Sequence, residues 1–442
     1  NLGVDAKGFK SEMKKQQNRA RKARGNKQAM GIQHDLLVDV KTPSKYVGYR
    51  QLTVHGAKLT HIVAKNRLVQ QISGGTAELM FDQTPFYAEM GGQVADHGWI
   101  KDAAGDDAAQ VVDVQSAPNG QHLHTVKIFK PLKVGAKYDL AVDRKFHSET
   151  SKNHTATHLL DQTLRNVLGG HTHQAGSLVA PHYLRFDFTH FGEVTPKDLQ
   201  KVERVINQQI FAALPVTTKV TDPKTGRKMG AVAIFNSKYG KRVRVVSIGN
   251  YSVEFCGGTH VKNTSELGLF KIVSESGVGA GVRRIIAVTS ADAFKLLNRE
   301  EAVLRQSARQ LKANQLADVP NKINQLINQV KHFRSQQASL EAKVAKSQAS
   351  HVFDQVKTVN GLKVITGILN VSGMNQLRQL ADTWRQKQLS DVLVLGTENH
   401  GKANLIAAVS DQQVKNGLKA GDLIKSAAKE IQGGGGGRPS LA

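Results

Sequence analysis

Short segments in which apolar and polar residues alternate dominate residues 46–142. Examples are QLTV at 51–54, HIVA at 61–64, AQVVDV at 109–114 and HTVKIF at 124–129, and Gly, Asn and Pro turns separate them. Alternation with a period of two is typical of strands that bury one face, and short strands at close spacing favour a small barrel or sandwich. We therefore predict a β-barrel-like part over 46–142.

The hydrophobic period becomes helical after Asp143. The run NHTATHLLDQTLRNVL at 153–168 predicts a helix that the glycine pair at 169–170 ends as a C-cap would. A second helix is predicted to begin with Thr195 as N-cap and Pro196 at the first helical position. The predicted buried stripe of this second helix comprises Leu199, Val202, Ile206 and Ile210.

Strand-like runs follow the two helices. A group of helices followed by a group of strands is typical of an α+β fold, so residues 46–290 are predicted to form one α+β domain with its core in 143–290. The predicted strands are AVAIF (231–235), RVRVVSIG (242–249), YSVEF (251–255), LFKIV (269–273) and RRIIAVT (283–289).

Residues 291–350 carry a different pattern, in which apolar residues recur every seven positions. Leu297, Leu304 and Leu311 form a first set, and Pro320 restarts the chain. Heptads predict two helices packed as a hairpin or coiled coil. The pattern fits an oligomer seam or an internal strut and does not choose between them. The second set comprises Ile323, Leu326, Val330, Phe333, Leu340 and Val344, interrupted at Gln337.

The two ends of the chain differ in composition. Residues 1–45 contain the basic run KGFKSEMKKQQNRARKARGNK at 7–27, which lacks β-branched residues and predicts an exposed helix or a tether. Residues 351–442 mix strands such as LKVITGIL with helices and end in GGGGGRPSLA, which predicts a compact α/β domain.

The charge balance points to a polyanionic partner. Lysine and arginine number 61 against 36 acidic residues, which gives a formal net charge of +25. Each phosphate that Lys or Arg neutralises releases counterions, so nucleic acid is the leading partner, and a merely solubilising excess is the alternative.

Cysteine usage and hydropathy indicate the cellular compartment that is expected for the chain. One cysteine cannot form an internal disulfide, so a secreted, disulfide-stapled scaffold is excluded and a reducing cytoplasm is expected. No apolar run approaches the roughly 18 residues that cross a bilayer, and NLGVDAKGFK has no signal-peptide core. We therefore expect no membrane partner.

That single cysteine lies in EFCGGTHV, four positions before a histidine. His154 and His158 are spaced i and i+4 on a predicted helix, so both rings project from one face. Cys256 and His260 would complete a zinc-binding set with them if the glycines at 257–258 let the backbone fold tightly. The alternative is that Cys256 is a small buried core residue and the histidines lie elsewhere.

The glycine-rich segment GVGAGVRR at 277–284 precedes a predicted strand rather than a helix, so a dinucleotide-binding fingerprint is excluded.

Several longer segments stand in order along the chain: TPFYAEMGGQVADHGWI (84–100), NHTATHLL (153–160), QAGSLV (174–179), LRFDF (184–188), EFCGGTHV (254–261) and ESGVGAGVRRIIAVT (275–289). In this order they closely resemble the editing domain of the alanyl-tRNA synthetase family. The closing GGGGGRPSLA resembles the end of that family's C-terminal, DHH-associated domain, and GFKSEMKKQQNRARKAR resembles the segment that leads from tRNA recognition into editing.

This resemblance implies an activity. Such a chain would hydrolyse the ester of mischarged Ser-tRNA(Ala) and Gly-tRNA(Ala), while the ATP-dependent ligase half is expected to be absent. A tRNA-binding and dimerising module with a purely structural zinc is the alternative. The implied partner is tRNA(Ala), and a homodimer through residues 291–442 stays open.

The resemblance also assigns residues. One Zn²⁺ per chain is implied, which either activates water or positions the substrate. Thr155 flanks the histidine stripe together with Thr157. Apart from the resemblance, Gly91, Gly92 and Gln93 predict either a tight loop near the tRNA acceptor end, because bare backbone can approach phosphate or ribose closely, or a plain turn. Arg438, beside the glycine run at 433–437, either contacts tRNA or follows a flexible segment. The implied zinc ligands are His154, His158, Cys256 and His260, and the implied catalytic and pocket residues are Thr157, Gln174, Ser177 and Cys256.

Overall fold

The computed structural model divides the chain into two compact units, Asn1–Glu301 and Ala302–Ala442. Most of the basic segment 1–45 and the greater part of the predicted strand AVAIF lie outside the described residues. The described residues are 43–117, 120–232, 240–371, 373–399, 401–431 and 433–442, together with Gly8, Glu12, Met13, Lys15, Leu37 and Val40.

A six-stranded antiparallel barrel opens the first unit, which confirms the barrel-like prediction. Its core contains Leu59, Leu79, Ile100 and Leu140, all fully buried. The described residues of this part of the chain form eleven strands, six of which make up the barrel: β1 (Lys45–Tyr46), β2 (Thr53–Ala64), β3 (Arg67–Val69), β4 (Gln71–Ile72), β5 (Gly75–Phe81), β6 (Gln83–Thr84), β7 (Gly98–Lys101), β8 (Asp107–Ser116), β9 (His122–Ile128), β10 (Leu132–Lys133) and β11 (Lys137–Val142). The barrel order is β11-β7-β8-β9-β5-β2, and β2 closes the ring by pairing with β11.

Helices and two sheets make up the rest of the first unit. Sheet one has the order β12-β13-β18-β17 and sheet two the order β14-β15-β16. The elements of this part are α1 (Arg144–Leu168), β12 (Gln174–Val179), β13 (Leu184–Thr189), α2 (Pro196–Phe211), β14 (Val216–Thr221), α3 (Pro223–Lys228), β15 (Val243–Ile248), β16 (Ser252–Phe255), a 3₁₀ turn (Thr264–Leu267), β17 (Phe270–Gly279) and β18 (Val282–Thr289). Helix α4 (Ser290–Gln310) follows and includes the boundary between the two units at Glu301.

The predicted end of α1 and the predicted start of α2 are confirmed, and the structure adds a cap at Asp143. The Asp143 carboxylate accepts the backbone N–H groups of Lys145 and Phe146, and Gly169 ends α1 with a φ of 111°, which suits glycine. Thr195 caps α2 and Pro196 follows it. Of the predicted stripe, Val202, Ile206 and Ile210 are buried and Leu199 is partly buried.

The second unit is a mixed α/β fold around the fully buried Leu393 and the nearly buried Trp384. Its sheet has the order β19-β20-β21-β22, in which only the β20–β21 pairing is parallel. Its elements are a 3₁₀ turn (Leu316–Asp318), α5 (Val319–Phe353), β19 (Val356–Val359), β20 (Leu362–Ile368), α6 (Met374–Lys387), β21 (Val392–Asn399), β22 (Lys402–Val409), α7 (Asp411–Lys415) and α8 (Ala420–Glu430).

The heptad region forms two helices, as predicted, with Pro320 in the first turn of α5. The apolar stripe of α5 remains open, however, with Leu326 51%, Phe333 64% and Leu340 61% exposed. The described part of the chain therefore does not cover this stripe, in contrast to a closed helical hairpin. Within the same part of the chain, no helix has the length and apolar content needed to span a bilayer.

Candidate metal centre

Helix α1 and the loop after β16 bring four metal-binding side chains together. His154 and His158 lie one turn apart on α1, and Cys256 and His260 lie on the loop. Their ligand atoms all lie within 4.8 Å of one another. The Cys256 sulfur lies 3.4 Å from Nε2 of His154 and 3.4 Å from Nε2 of His260. The residues that spacing suggested can therefore reach one ion.

Gln93 holds the His154 ring from behind. Its Oε1 accepts hydrogen bonds from His154 Nδ1 at 2.6 Å and from the backbone N–H of Thr259 at 2.9 Å. Its Nε2 donates to Thr259 Oγ1 at 2.9 Å, and the residue has no exposed surface. Gln93 thus faces the metal-binding residues, in contrast to the tRNA contact predicted for it.

The other two imidazoles also meet a polar group at Nδ1, His158 through an ion pair and His260 through a hydrogen bond. Nδ1 of His158 lies 2.7 Å from a carboxylate oxygen of Glu254. Nδ1 of His260 lies 3.1 Å from Thr155 Oγ1, whose own hydrogen is donated to the Ser151 carbonyl. A partner on Nδ1 fixes the tautomer and leaves Nε2 to an ion. Thr155 therefore contacts the His260 ring and is not among the residues that line the neighbouring cavity.

The titrations of the four residues are linked. Burial raises the pKa of the Cys256 thiol, but the neighbouring imidazoles of His154, His158 and His260 outweigh it and bring that pKa well below its ordinary value. Burial lowers the pKa of His260 to about 3. Burial also lowers the pKa of His158, but the charges of Glu254 and Cys256 outweigh it and bring that pKa well above its ordinary value. Zinc binds thiolate and neutral imidazole, so zinc binding would displace the proton of His158.

Two buried acids that the sequence analysis missed stand behind the rings. Burial and the neighbouring Glu254 raise the pKa of Asp161 to about 7, against the opposing charges of Arg165 and His158. Arg165 lies 3.0 Å from Asp161 and 3.6 Å from Glu254. The sequence could have indicated both acids, because Asp161 lies one helical turn after His158 and Glu254 lies two residues before Cys256, on an alternating strand.

The two glycines after Cys256 serve a different purpose from the one expected. Neither Gly257 nor Gly258 has a positive φ. A Cβ on Gly258 would lie 1.9 Å from Cε1 of His154, whereas a Cβ on Gly257 would meet only the end of the Met90 side chain, at 2.9 Å. The sequence CGGTH therefore needs glycine at 258 for space, not for backbone freedom.

Arg244 and Tyr49 clamp this loop. Arg244 donates to the carbonyls of Cys256 at 3.1 Å and of Gly258 at 2.7 Å. The Tyr49 hydroxyl donates to the Gly257 carbonyl, and its ring centroid lies 4.4 Å from the Arg244 guanidinium. Because Tyr49 follows β1, the barrel part of the unit helps to hold the loop.

A cavity of about 580 Å³ opens beside the four donors. Thr157 of α1 lines it, as do Gln174 and Ser177 of β12. The side-chain amide of Gln174 donates to Ser177 Oγ at 3.0 Å, and the Thr157 hydroxyl donates to the Asn153 carbonyl at 2.8 Å. All three pocket residues implied by the resemblance therefore border the space that the thiolate and imidazoles face.

The glycine loop and Arg438 are placed differently. Gly91 lines the cavity, whereas Gly92 packs against Ser177, where a Cβ would lie 2.4 Å from Oγ. The Gly92 carbonyl also accepts the backbone N–H of Val179 at 2.7 Å, which ties the loop to β12. Arg438 belongs to the second unit, where it is exposed and pairs with Leu441.

We predict that Gly258→Ala lowers the zinc content of the purified chain to well below half an equivalent. The added methyl group collides with the His154 ring, whereas Gly257→Ala displaces only the exposed Met90 side chain and serves as the matched control. Elemental analysis of both variants measures the effect. Equal, stoichiometric zinc in both would contradict the steric reading.

We also predict that Glu254→Gln weakens zinc binding by about 10- to 100-fold, the usual cost of losing a carboxylate that supports a metal-binding histidine. Competition with a chelator of known affinity measures the change. Glu266→Gln, whose carboxylate accepts backbone N–H groups of Lys262 and Asn263, is the control. An unchanged affinity in Glu254→Gln would remove Glu254 from the support of His158.

Three family models match parts of the chain. A model of class II (A) tRNA synthetases matches residues 1–146, a model of the threonyl and alanyl tRNA synthetase second additional domain matches residues 243–286, and a DHHA1 domain model matches residues 361–442. The middle range contains Cys256 and His260.

Curated alanine–tRNA ligases are similar to the chain from end to end. The ligase of Lactiplantibacillus plantarum is 61% identical over 441 residues, that of Pediococcus pentosaceus 59% and that of Enterococcus faecalis 53%. Each alignment covers 100% of this chain and 50% of the relative, so the chain spans about half the length of the curated relatives it matches. On this agreement, the chain belongs to the alanyl-tRNA synthetase family.

Proposed function

We propose that this chain hydrolyses the ester bond of serine or glycine wrongly attached to tRNA(Ala). The observation that carries the proposal is one cavity lined by Cys256 and by the rings of His154 and His158, with a polar wall formed by Gln174 and Ser177 of β12 and with Thr157 of α1 beside the rings. A site of this kind offers charged groups to the reacting end of an aminoacyl ester and polar groups to its side chain. The similarity to proteins named alanine–tRNA ligases supports tRNA(Ala) as the carrier of this ester.

The donor set fits zinc. One sulfur and three imidazole nitrogens within 4.8 Å of one another match the ligands and spacing that zinc prefers. When bound, Zn²⁺ would supply a fixed positive charge that polarises water or holds the substrate's amino group. Gln93, Glu254 and Thr155 keep the three rings aimed at this point, and Arg244 keeps Cys256 in place.

Substrate selection rests on the polar wall. A pocket chosen by size alone rejects an added hydroxyl only about a hundredfold, whereas a site that hydrogen-bonds the hydroxyl can discriminate by about 10⁴ to 10⁵. The pair formed by Gln174 and Ser177 has spare hydrogen-bonding capacity for a serine hydroxyl. Alanine would leave those polar groups unpaired, so the correct product would be spared.

A second candidate is a tRNA-binding and dimerising module with a structural zinc. Four protein donors are the number that closed, structural zinc sites use, which favours this candidate. The open apolar stripe on α5 also suits a homodimer through 291–442. The first proposal accounts in addition for the cavity beside the donors and its polar lining.

Deacylation of Ser-tRNA(Ala) separates the two candidates. We predict that Cys256→Ala loses at least about 100-fold in kcat while the affinity for tRNA stays within about twofold, because the reacting groups are lost and the charged surface is kept. Removing zinc from a chain that stays folded, as judged by circular dichroism, should abolish turnover. Full activity of the folded, zinc-free chain would exclude a catalytic metal.

The polar wall predicts an asymmetry between substrates. Gln174→Ala should lower kcat/KM for Ser-tRNA(Ala) about tenfold through loss of a hydrogen bond to the hydroxyl, and change kcat/KM for Gly-tRNA(Ala) by less than about twofold. Gln162→Ala on α1, whose side chain bonds to Asn166, is the control. An equal loss for both substrates would show that Gln174 acts on something other than the serine hydroxyl.

A further inference from the structure

A strongly basic surface borders the cavity where β14, α3 and the start of β15 meet. We propose that this surface binds the phosphate backbone of the RNA acceptor arm whose 3′-terminal ester enters the cavity, an inference that rests on the proposed function. The surface, here named the basic rim, consists of the exposed residues Lys219, Lys224, Arg227, Lys228, Lys241 and Arg242.

The strand register places the rim at the cavity. Thr221 at the end of β14 pairs with Val243 of β15, and Val243 lines the cavity together with Arg242 and Gly240. Helix α3 begins at Pro223, two residues after Thr221. The rim residues of α3 and those at 241–242 therefore lie at the same end of one three-stranded sheet.

Packing ties α3 to the wall of the cavity. A Cβ on Gly226 would lie 2.4 Å from Cε1 of Phe255, so α3 sits directly on the ring of the residue before Cys256. Phe255 itself lines the cavity and belongs to a small core with Ala231, Val243 and Val245. This close contact fixes α3, and with it three rim cations, against the structure that carries the metal-binding loop.

The rim carries charge of one sign. In the described stretches 216–232 and 240–248, the six rim residues and Arg244 are opposed by one acid, Asp222. The Asp222 carboxylate accepts the backbone N–H groups of Lys224 and Thr225 as the cap of α3. No ion pair to a rim side chain forms within the described residues, whereas Arg244 is turned inward to the loop carbonyls.

Charge complementarity selects the partner. An aminoacyl ester at the 3′ end of RNA brings a chain of phosphates to the mouth of whatever cavity receives it. Unpaired Lys and Arg side chains bind phosphates and position the RNA without reading its sequence. A free amino-acid ester has no such phosphates and would gain nothing from the rim. The rim thus favours RNA-borne esters over small esters.

The test compares two triple variants of the full 442-residue chain. Lys224→Ala/Arg227→Ala/Lys228→Ala removes three rim charges, and Lys197→Ala/Lys201→Ala/Arg204→Ala removes three charges from the exposed face of α2 as the control. The probe is an RNA hairpin of the acceptor stem with its CCA end. We expect the rim variant to bind the hairpin about tenfold more weakly, with the slope of log Kd against log salt reduced by about 2, and the control to bind as the parent does.

Deacylation supplies the second readout. With serine on the hairpin, the rim variant should raise KM about tenfold and leave kcat unchanged, while turnover of the serine ester of adenosine stays unchanged because it carries no phosphates. Unaltered hairpin affinity in the rim variant would overturn the proposal. That result is the one expected if the rim binds an acidic protein instead of RNA. An equal loss in the α2 variant would overturn it too. A parent chain that binds the hairpin through the rim but hydrolyses neither ester would refute the proposed function alone.

Discussion

Three imidazole rings surround the Cys256 sulfur, and Nε2 of two of them lies only 3.4 Å from it. Several side chains from other parts of the first unit are positioned to hold these rings in place. A buried thiolate is costly unless positive charge or a cation compensates it. The neighbouring histidines lower the pKa of Cys256, so the chain itself compensates the thiolate, and a bound cation would take over that compensation.

Keeping those rings together draws on distant parts of the chain. Gln93 comes from the loop between β6 and β7, Glu254 from β16 and Thr155 from α1 itself, and each holds one ring nitrogen. Tyr49, next to the barrel, fastens the loop that carries Cys256. The barrel and the helical core thus act as one support for the centre, and the absence of a side chain at Gly258 leaves room for it.

Local chemistry was predictable from the sequence, and long-range packing was not. The cap of α2 at Thr195 and the end of α1 at Gly169 were identifiable because a helix end depends on residues only a few positions away. The four candidate metal ligands were identifiable because helix spacing and a short loop bring them close. The contact of Gln93 with His154 could not be predicted, because the two residues lie 61 positions apart in the sequence. The heptad pattern predicted helix α5 correctly. It could not predict whether another part of the chain covers the apolar stripe of α5, because periodicity does not encode tertiary contacts.

X-ray absorption at the zinc edge of the chain loaded with one equivalent of zinc tests the central claim most directly. The account predicts one sulfur neighbour at about 2.3 Å and three nitrogen neighbours at about 2.0–2.1 Å, with the signature of imidazole scattering. A first shell made only of oxygen and nitrogen, without sulfur, would contradict the convergence of these side chains on one ion.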